Sequence, residues 1–278
     1  AFNETKFELM RYGSNDIIKL NTEYVSPSGK EIYTKEIVKD LGINMTSDAS
    51  FDYHISQIVE KTKYITSWIL RTFKTHESLP MITLWKSLVI PILEYCSVLW
   101  SPNTVGNIQK LEMLQWSYIR KIVERRNRNY WELLKLFNLY SLQRRRERYM
   151  IIYIWKTIET KVKNINNKIV YYNNDRQGRK IQRRRVVKSR LSKKVEANIL
   201  VHGAKLFNIL PKHIRNITNV KIDVFKQKLD VYLRQIPDEP QIIGLTALRR
   251  AETNSLTHMI NINLYYRDNR GRAYQCSS

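Results

Sequence analysis

Cysteine, glycine and proline are scarce in this chain, and each scarcity excludes a class of protein. Only two cysteines occur in 278 residues, Cys96 and Cys276, far apart and outside any Cys-x-x-Cys or Cys/His cluster. A disulfide framework and a structural zinc site are therefore not expected, and the thiols are expected to stay reduced inside a cell. Eight glycines form neither a phosphate-binding loop nor a Gly-x-Ser-x-Gly elbow. The five histidines (His54, His76, His202, His213, His258) stand singly, so packing or surface roles are expected for them rather than catalysis. No two aspartates are adjacent, which removes the usual local signature of a two-metal phosphoryl-transfer centre. No apolar run reaches the roughly 18 residues of a membrane span, because Lys86 and Glu94 cut the best candidate. No basic-then-apolar leader opens the chain, so no signal peptide is expected.

What is plentiful is positive charge. Lys and Arg number 48 against 25 Asp and Glu, a net of +23. Residues 1–80 hold 10 basic and 11 acidic side chains, whereas residues 81–278 hold 38 and 14. A near-neutral beginning joined to a cationic remainder points to a polyanionic partner, nucleic acid before a membrane surface.

The apolar pattern predicts a mainly helical protein with a small strand-rich start. Short alternating runs at 6–12, 24–25 and 31–34, with Ser26 to Lys30 as a turn, read as strands. Val38 to Met45 reads as a further strand with Gly42 inside it. From Phe51 the period becomes helical: Ile55, Ile58, Val59, Thr62, Ile65, Ile69 and Phe73 share a face, with Asp52 as a cap or first-turn acid. Leu84 to Pro102 is the most apolar stretch and the expected core, interrupted at Pro91, which should push Ile90 off helical angles and give a kinked helix or two helices meeting at a corner. Further helices are expected over 108–122, 131–139, 142–159, 195–210 and 224–236. Arg144, Arg145, Arg146 and Arg148 read as an exposed, phosphate-binding run. Arg176 to Lys194 carries ten basic residues in 19 and no acid, so a loop or a disordered segment is expected there. The end from Pro237 reads as poorly packed.

Several phrases, in order, resemble one family. Lys39-Asp-Leu-Gly-Ile43, Ser47-Asp-Ala-Ser-Phe51 and His54-Ile55 come first. Leu84-Trp-Lys-Ser-Leu-Val89, Pro91, Leu93-Glu-Tyr-Cys-Ser97 and Leu99-Trp-Ser-Pro102 follow. Then come Leu111-Glu112, Gln115 and Arg120-Lys-Ile122, Leu139-Tyr-Ser-Leu-Gln-Arg-Arg145, Phe207-Asn-Ile-Leu-Pro211 and Phe225-Lys-Gln-Lys-Leu-Asp230. The series resembles the region downstream of the catalytic centre in reverse transcriptases of non-LTR (LINE-type), jockey-like retrotransposons. That resemblance implies the end of a polymerase palm at 1–50, a helical thumb at 51–128 and a helical connector at 129–160. It further implies a basic flexible segment at 161–195, C-terminal helices at 196–236 and a poorly ordered tail at 237–278. Leu41 and Gly42 would belong to a primer-grip-like strand. The catalytic aspartates of such a polymerase lie upstream of Phe2-Asn-Glu-Thr-Lys6, so this chain would lack them and be inactive alone. No cofactor is implied for the chain itself, and Mg2+ only for the complete polymerase.

The implied partners are RNA and DNA as a template–primer duplex, and the palm, fingers and endonuclease parts of the same polyprotein, with no membrane. Nuclear and cytoplasmic residence follows. The expected phosphate contacts are Lys121, Arg125, Arg126, Arg144, Arg145, Arg146, Arg183, Arg184, Arg185 and Lys188. Two rival readings are an enzyme whose acids (Asp40, Asp48, Asp52) assemble in space, and a non-enzymatic nucleic-acid-binding protein or functionless relic of a mobile element.

Overall fold

The computed structural model describes residues 3, 6–12, 23–74, 77–123, 129–159, 171–174, 178–181, 192–240, 242 and 254–260. These residues are mainly helical, with two small antiparallel hairpins.

The first hairpin joins β1 (Ile37–Asp40) to β2 (Ile43–Thr46). Asp40 pairs with Ile43, so Leu41 and Gly42 alone make the turn. Both have positive φ, 45° and 86°. A two-residue turn of this hand matches the twist of its strands, and glycine takes the second position without steric cost. The sequence pattern suggested one strand through Gly42; the chain reverses there instead. Upstream, the turn expected over 26–30 is present, with Val25 bridged to Glu31 and Gly29 N donating to Ser26 O at 2.8 Å.

Helix α1 (Asp52–Thr72) buries Ile55, Ile58, Val59, Thr62 and Ile69 on one face. Phe51 occupies the cap position and Asp52 the first turn. Asp52 Oδ1 accepts from Asn107 Nδ2 at 2.6 Å, fixing the start of α1 to the start of a later helix. The apolar stretch forms α2 (Ser78–Leu84), a π-helical turn (Trp85–Val89) and α3 (Ile90–Glu94). Ile90 keeps helical angles (φ −54°, ψ −44°), which corrects the expected departure of that residue from them. The turn preceding the proline widens, and Ile90 N donates five residues back to Trp85 O. The corner falls later, at Cys96, whose φ is 50°. Helix α4 (Ser97–Trp100) follows.

Next come α5 (Val105–Ile122), α6 (Tyr130–Leu136) and α7 (Leu142–Ile158). Asn129 Oδ1 caps α6 and Ser141 Oγ caps α7, each accepting from a backbone N–H three residues on (2.8 and 3.0 Å). The second hairpin is β3 (Tyr171–Asn174) with β4 (Gly178–Ile181). Helices α8 (Ser192–Ala197), α9 (Ile199–Ile209), α10 (Lys212–Arg215) and α11 (Ile222–Leu233) complete the order.

Two apolar clusters result. One gathers α1 to α6 around Trp85, Trp100 and Tyr118, with the Trp85 and Tyr118 rings 4.9 Å apart. The other gathers α7, α9, α10 and α11, where Trp155 stacks on Phe225 at 4.4 Å. Helix α7 gives Leu142 to the first and Met150 to Ile158 to the second. It is packed by both halves along its length. At Gly203 of α9 an added Cβ would lie 2.8 Å from Ile154 Cγ1 of α7, so the two helices touch closely there.

Two expectations of disorder are corrected for the described residues. Within the basic segment, β4 is docked: Asn208 accepts from Ile181 N and donates to Ile181 O, both at 2.8 Å, as a neighbouring strand would. Arg179 is buried in a 2.8 Å ion pair with Glu159. Beyond Pro237, Asp238, Ile242, Asn254, Leu256 and Ile260 are buried.

Candidate nucleic-acid interface

The arginine run at the start of α7 does not face solvent. Arg144 is fully buried, and its Nη2 donates to Pro237 O at 2.9 Å. Arg146 is 3% exposed. Arg145 pairs with Glu94. Arg148 forks onto Asp230 through Nε (2.5 Å) and Nη2 (2.7 Å). The expectation of an exposed phosphate-binding run is thereby overturned. The physical reason is the double packing of α7, whose cations meet acids 51 to 82 residues away. Local sequence carries no sign of those partners.

A buried polar junction stands where the family-like phrases meet. Glu112 of α5 is fully buried, accepting from Gln143 N at 2.7 Å and from the Tyr130 hydroxyl at 3.4 Å. Gln115 donates to the Tyr130 hydroxyl at 2.9 Å and to Tyr140 O at 3.0 Å. Burial lifts the Glu112 carboxyl to about 7, against the pull of the Arg146 guanidinium. Burial also lowers Arg146, opposed by Glu112, Glu147 and Glu94. The junction joins α5, α6 and α7, and its chemistry is structural. His54 is structural too: its Nδ1 accepts from Asn44 N at 3.3 Å and its ring meets Trp100 edge-on.

Exposed cations outside the ion pairs of the described residues stand on the outward faces of α1 and α5, as they also do at Lys39, Lys205, Lys221 and Lys228. On α5, Lys110, Met113, Ser117, Arg120 and Lys121 are exposed at helical spacing. On α1, Tyr53, Gln57, Lys61, Tyr64, Trp68 and Arg71 are exposed and recur every three or four residues. Such positions share one side of a helix. Among the described residues, the ion pairs engage none of Lys61, Lys63, Lys110, Arg120 and Lys121. Of the expected contacts, Lys121 is therefore in a position to meet a phosphate. Arg125, Arg126, Arg183, Arg184, Arg185 and Lys188 lie outside the described residues. The α1 stripe has its residues spread three or four apart, so it forms no basic run in the sequence. Its signal, two aromatics and two cations on the polar side of an amphipathic helix, was present.

Leu41 stands at the hairpin tip, 82% exposed, and its carbonyl accepts from the Tyr95 hydroxyl at 2.8 Å. Gly42 lies beneath it, with an added Cβ 3.6 Å from the Tyr95 ring. Two acids of the rival enzyme reading are engaged: Asp48 Oδ1 accepts from Ser50 N at 3.0 Å, and Asp52 Oδ1 from Asn107 Nδ2. Among the described residues no three His, Cys, Asp or Glu side chains are grouped to hold a metal. No described helix is long and apolar enough to cross a membrane. A cleft of about 560 Å³ opens beside α7, lined by Arg146, Glu147 and Glu196 among others. In comparisons with known proteins, no family model, curated protein or solved structure matches this chain.

Proposed function

We propose that this chain is a nucleic-acid-gripping part of a retrotransposon reverse transcriptase of the non-LTR kind, holding a template–primer duplex without performing the chemistry. The carrying observation is the set of unpaired cations, Lys61, Lys63, Lys110, Arg120 and Lys121, on the outer faces of α1 and α5 in a chain of net charge +23. A duplex held by its backbone needs cations outside and little base readout. The ordered family-like phrases support the same reading, with α1 to α5 as a thumb-like bundle and the first hairpin as the end of a palm. In this reading Leu41 and Gly42 present the hairpin tip to a primer strand. Arg125, Arg126, Arg183, Arg184, Arg185 and Lys188 add charge to the grip. Arg144 and Arg146 drop out of it because they are buried, and Arg145 because it pairs with Glu94.

The test is anisotropy of a labelled, primed RNA–DNA hybrid with the whole chain, against an unstructured peptide of equal length and charge. A folded grip binds at least tenfold more tightly than the peptide. Equal affinities would leave charge alone at work and favour the relic reading.

A further inference from the structure

The outward face of α1 carries more than charge. Tyr64 is 70% exposed and Trp68 44%, although the apolar cluster under α1 is already filled by its opposite face. The two aromatics are four residues apart, which places them roughly 6 Å apart along the axis. Lys61 precedes them and Arg71 follows, all within one stripe. The side chains are also held in place. Phe73 meets the Trp68 ring edge-on with centroids 6.3 Å apart, and Arg71 Nε donates to Ser67 O at 3.3 Å. Glu60 flanks the stripe beside Lys61.

Aromatic planes gain nothing from a phosphate backbone, and the bases of a duplex are already stacked. Unpaired bases offer free faces, and stacking on an aromatic side chain rewards every base type. We infer that the stripe Lys61–Tyr64–Trp68–Arg71 is a track for an unpaired nucleic-acid strand. Two bases stack on Tyr64 and Trp68 while Lys61 and Arg71 meet the flanking phosphates. This rests on the nucleic-acid reading above and adds a second kind of strand to it: the unpaired length of template beside the duplex.

The experiment titrates the full chain into end-labelled thymidylate and uridylate dodecamers and a labelled blunt RNA–DNA hybrid, with affinity read from the anisotropy of the label and stacking from tryptophan quenching. Trp85, Trp100, Trp116 and Trp155 are buried, and Trp131 is half-buried with Lys135 Nζ 3.5 Å from its ring centroid, so the part of the quench that Trp68→Phe removes is the part that reports on Trp68. The wild type is expected to be quenched by both dodecamers. Removing one stacking partner costs roughly 5- to 150-fold in affinity. Tyr64→Ala with Trp68→Ala should therefore bind the dodecamers at least about tenfold more weakly, while hybrid affinity stays within about twofold. Trp68→Phe should keep the dodecamer affinity and lose the quench, which separates binding from signal. A thermal melt confirms that each variant stays folded.

If the double alanine variant binds dodecamers as the wild type does, the inference is wrong and the duplex reading stands. If the wild type binds neither dodecamer nor hybrid at low salt, both fail together. A concentration-dependent dimer that the double variant loses, with dodecamer binding unchanged, would assign the stripe to a second copy of this chain and overturn the inference. A response to the uridylate alone or the thymidylate alone would fix which strand chemistry the track accepts.

Discussion

Changing Glu112 to Gln should make the protein more stable at neutral pH than the wild type, relative to acid pH. Glu112 is fully buried, and its carboxyl rises from 4.5 to about 7 in the folded chain. Burial drives the rise, Asp238 adds slightly, and Arg146 and the Gln143 and Leu142 amides oppose it. Below about pH 4.5 both folded and unfolded chains hold the proton, so the group contributes nothing to pH dependence. As pH climbs from 4.5 to about 7, the unfolded chain releases the proton and the folded chain keeps it. The unfolded state then binds fewer protons, and stability falls with rising pH at about 1.4 kcal/mol per unit. Over this window the loss comes to about 3 kcal/mol. Glutamine keeps the shape and the acceptor for Gln143 N, and it does not titrate. The stability difference, variant minus wild type, should therefore grow by about 3 kcal/mol across the window. Glu147, raised by burial as well, is common to both proteins and cancels in the difference. Urea unfolding at a series of pH values measures this directly. A difference that stays constant from acid to neutral pH would refute the buried, proton-holding Glu112.

Other variants address the junction between the two clusters. Gly203→Ala puts a methyl 2.8 Å from Ile154 Cγ1 and should cost about 1–3 kcal/mol by overpacking, read in the same urea assay. A neutral result would mean α7 and α9 are less closely apposed. Arg148→Ala removes a two-pronged bond to Asp230 and should cost about 2 kcal/mol of stability while leaving the salt dependence of hybrid binding unchanged. A flattened salt slope in that variant would instead place Arg148 on a phosphate.

The helices were legible because their burial is periodic. Ile55, Ile58, Val59, Thr62 and Ile69 announce α1, and Phe225, Leu229 and Leu233 announce α11. What local pattern could not show is where charge ends up. Four arginines in five residues look like a solvated face until α7 is found between two clusters, with Glu94 and Asp230 arriving from distant helices. The same holds for Arg179 of β4, which meets Glu159 from the end of α7. Near Pro91 the local rule was sound, but the chain answered it with a widened turn and kept Ile90 at helical angles. The Leu41–Gly42 reversal was misread because a glycine inside an alternating run fits a bulge as well as a turn. Most family-like phrases land on such internal contacts: Glu94, Glu112, Gln115, Ser141, Asn208 and Asp230 each hold two or more partners. Of the candidate interface, Arg120 and Lys121 fall within one such phrase, whereas Lys61, Lys63 and Lys110 fall outside them.

The most direct test of the account is the salt dependence of binding to a primed RNA–DNA hybrid, comparing the wild type with Lys110, Arg120 and Lys121 all changed to Ala. Each phosphate contact contributes about 0.9 to the log–log slope on a duplex. The account predicts a slope flatter by roughly two to three units in the triple variant, with its melting temperature unchanged. A slope identical to the wild type's would contradict a grip through the outer face of α5.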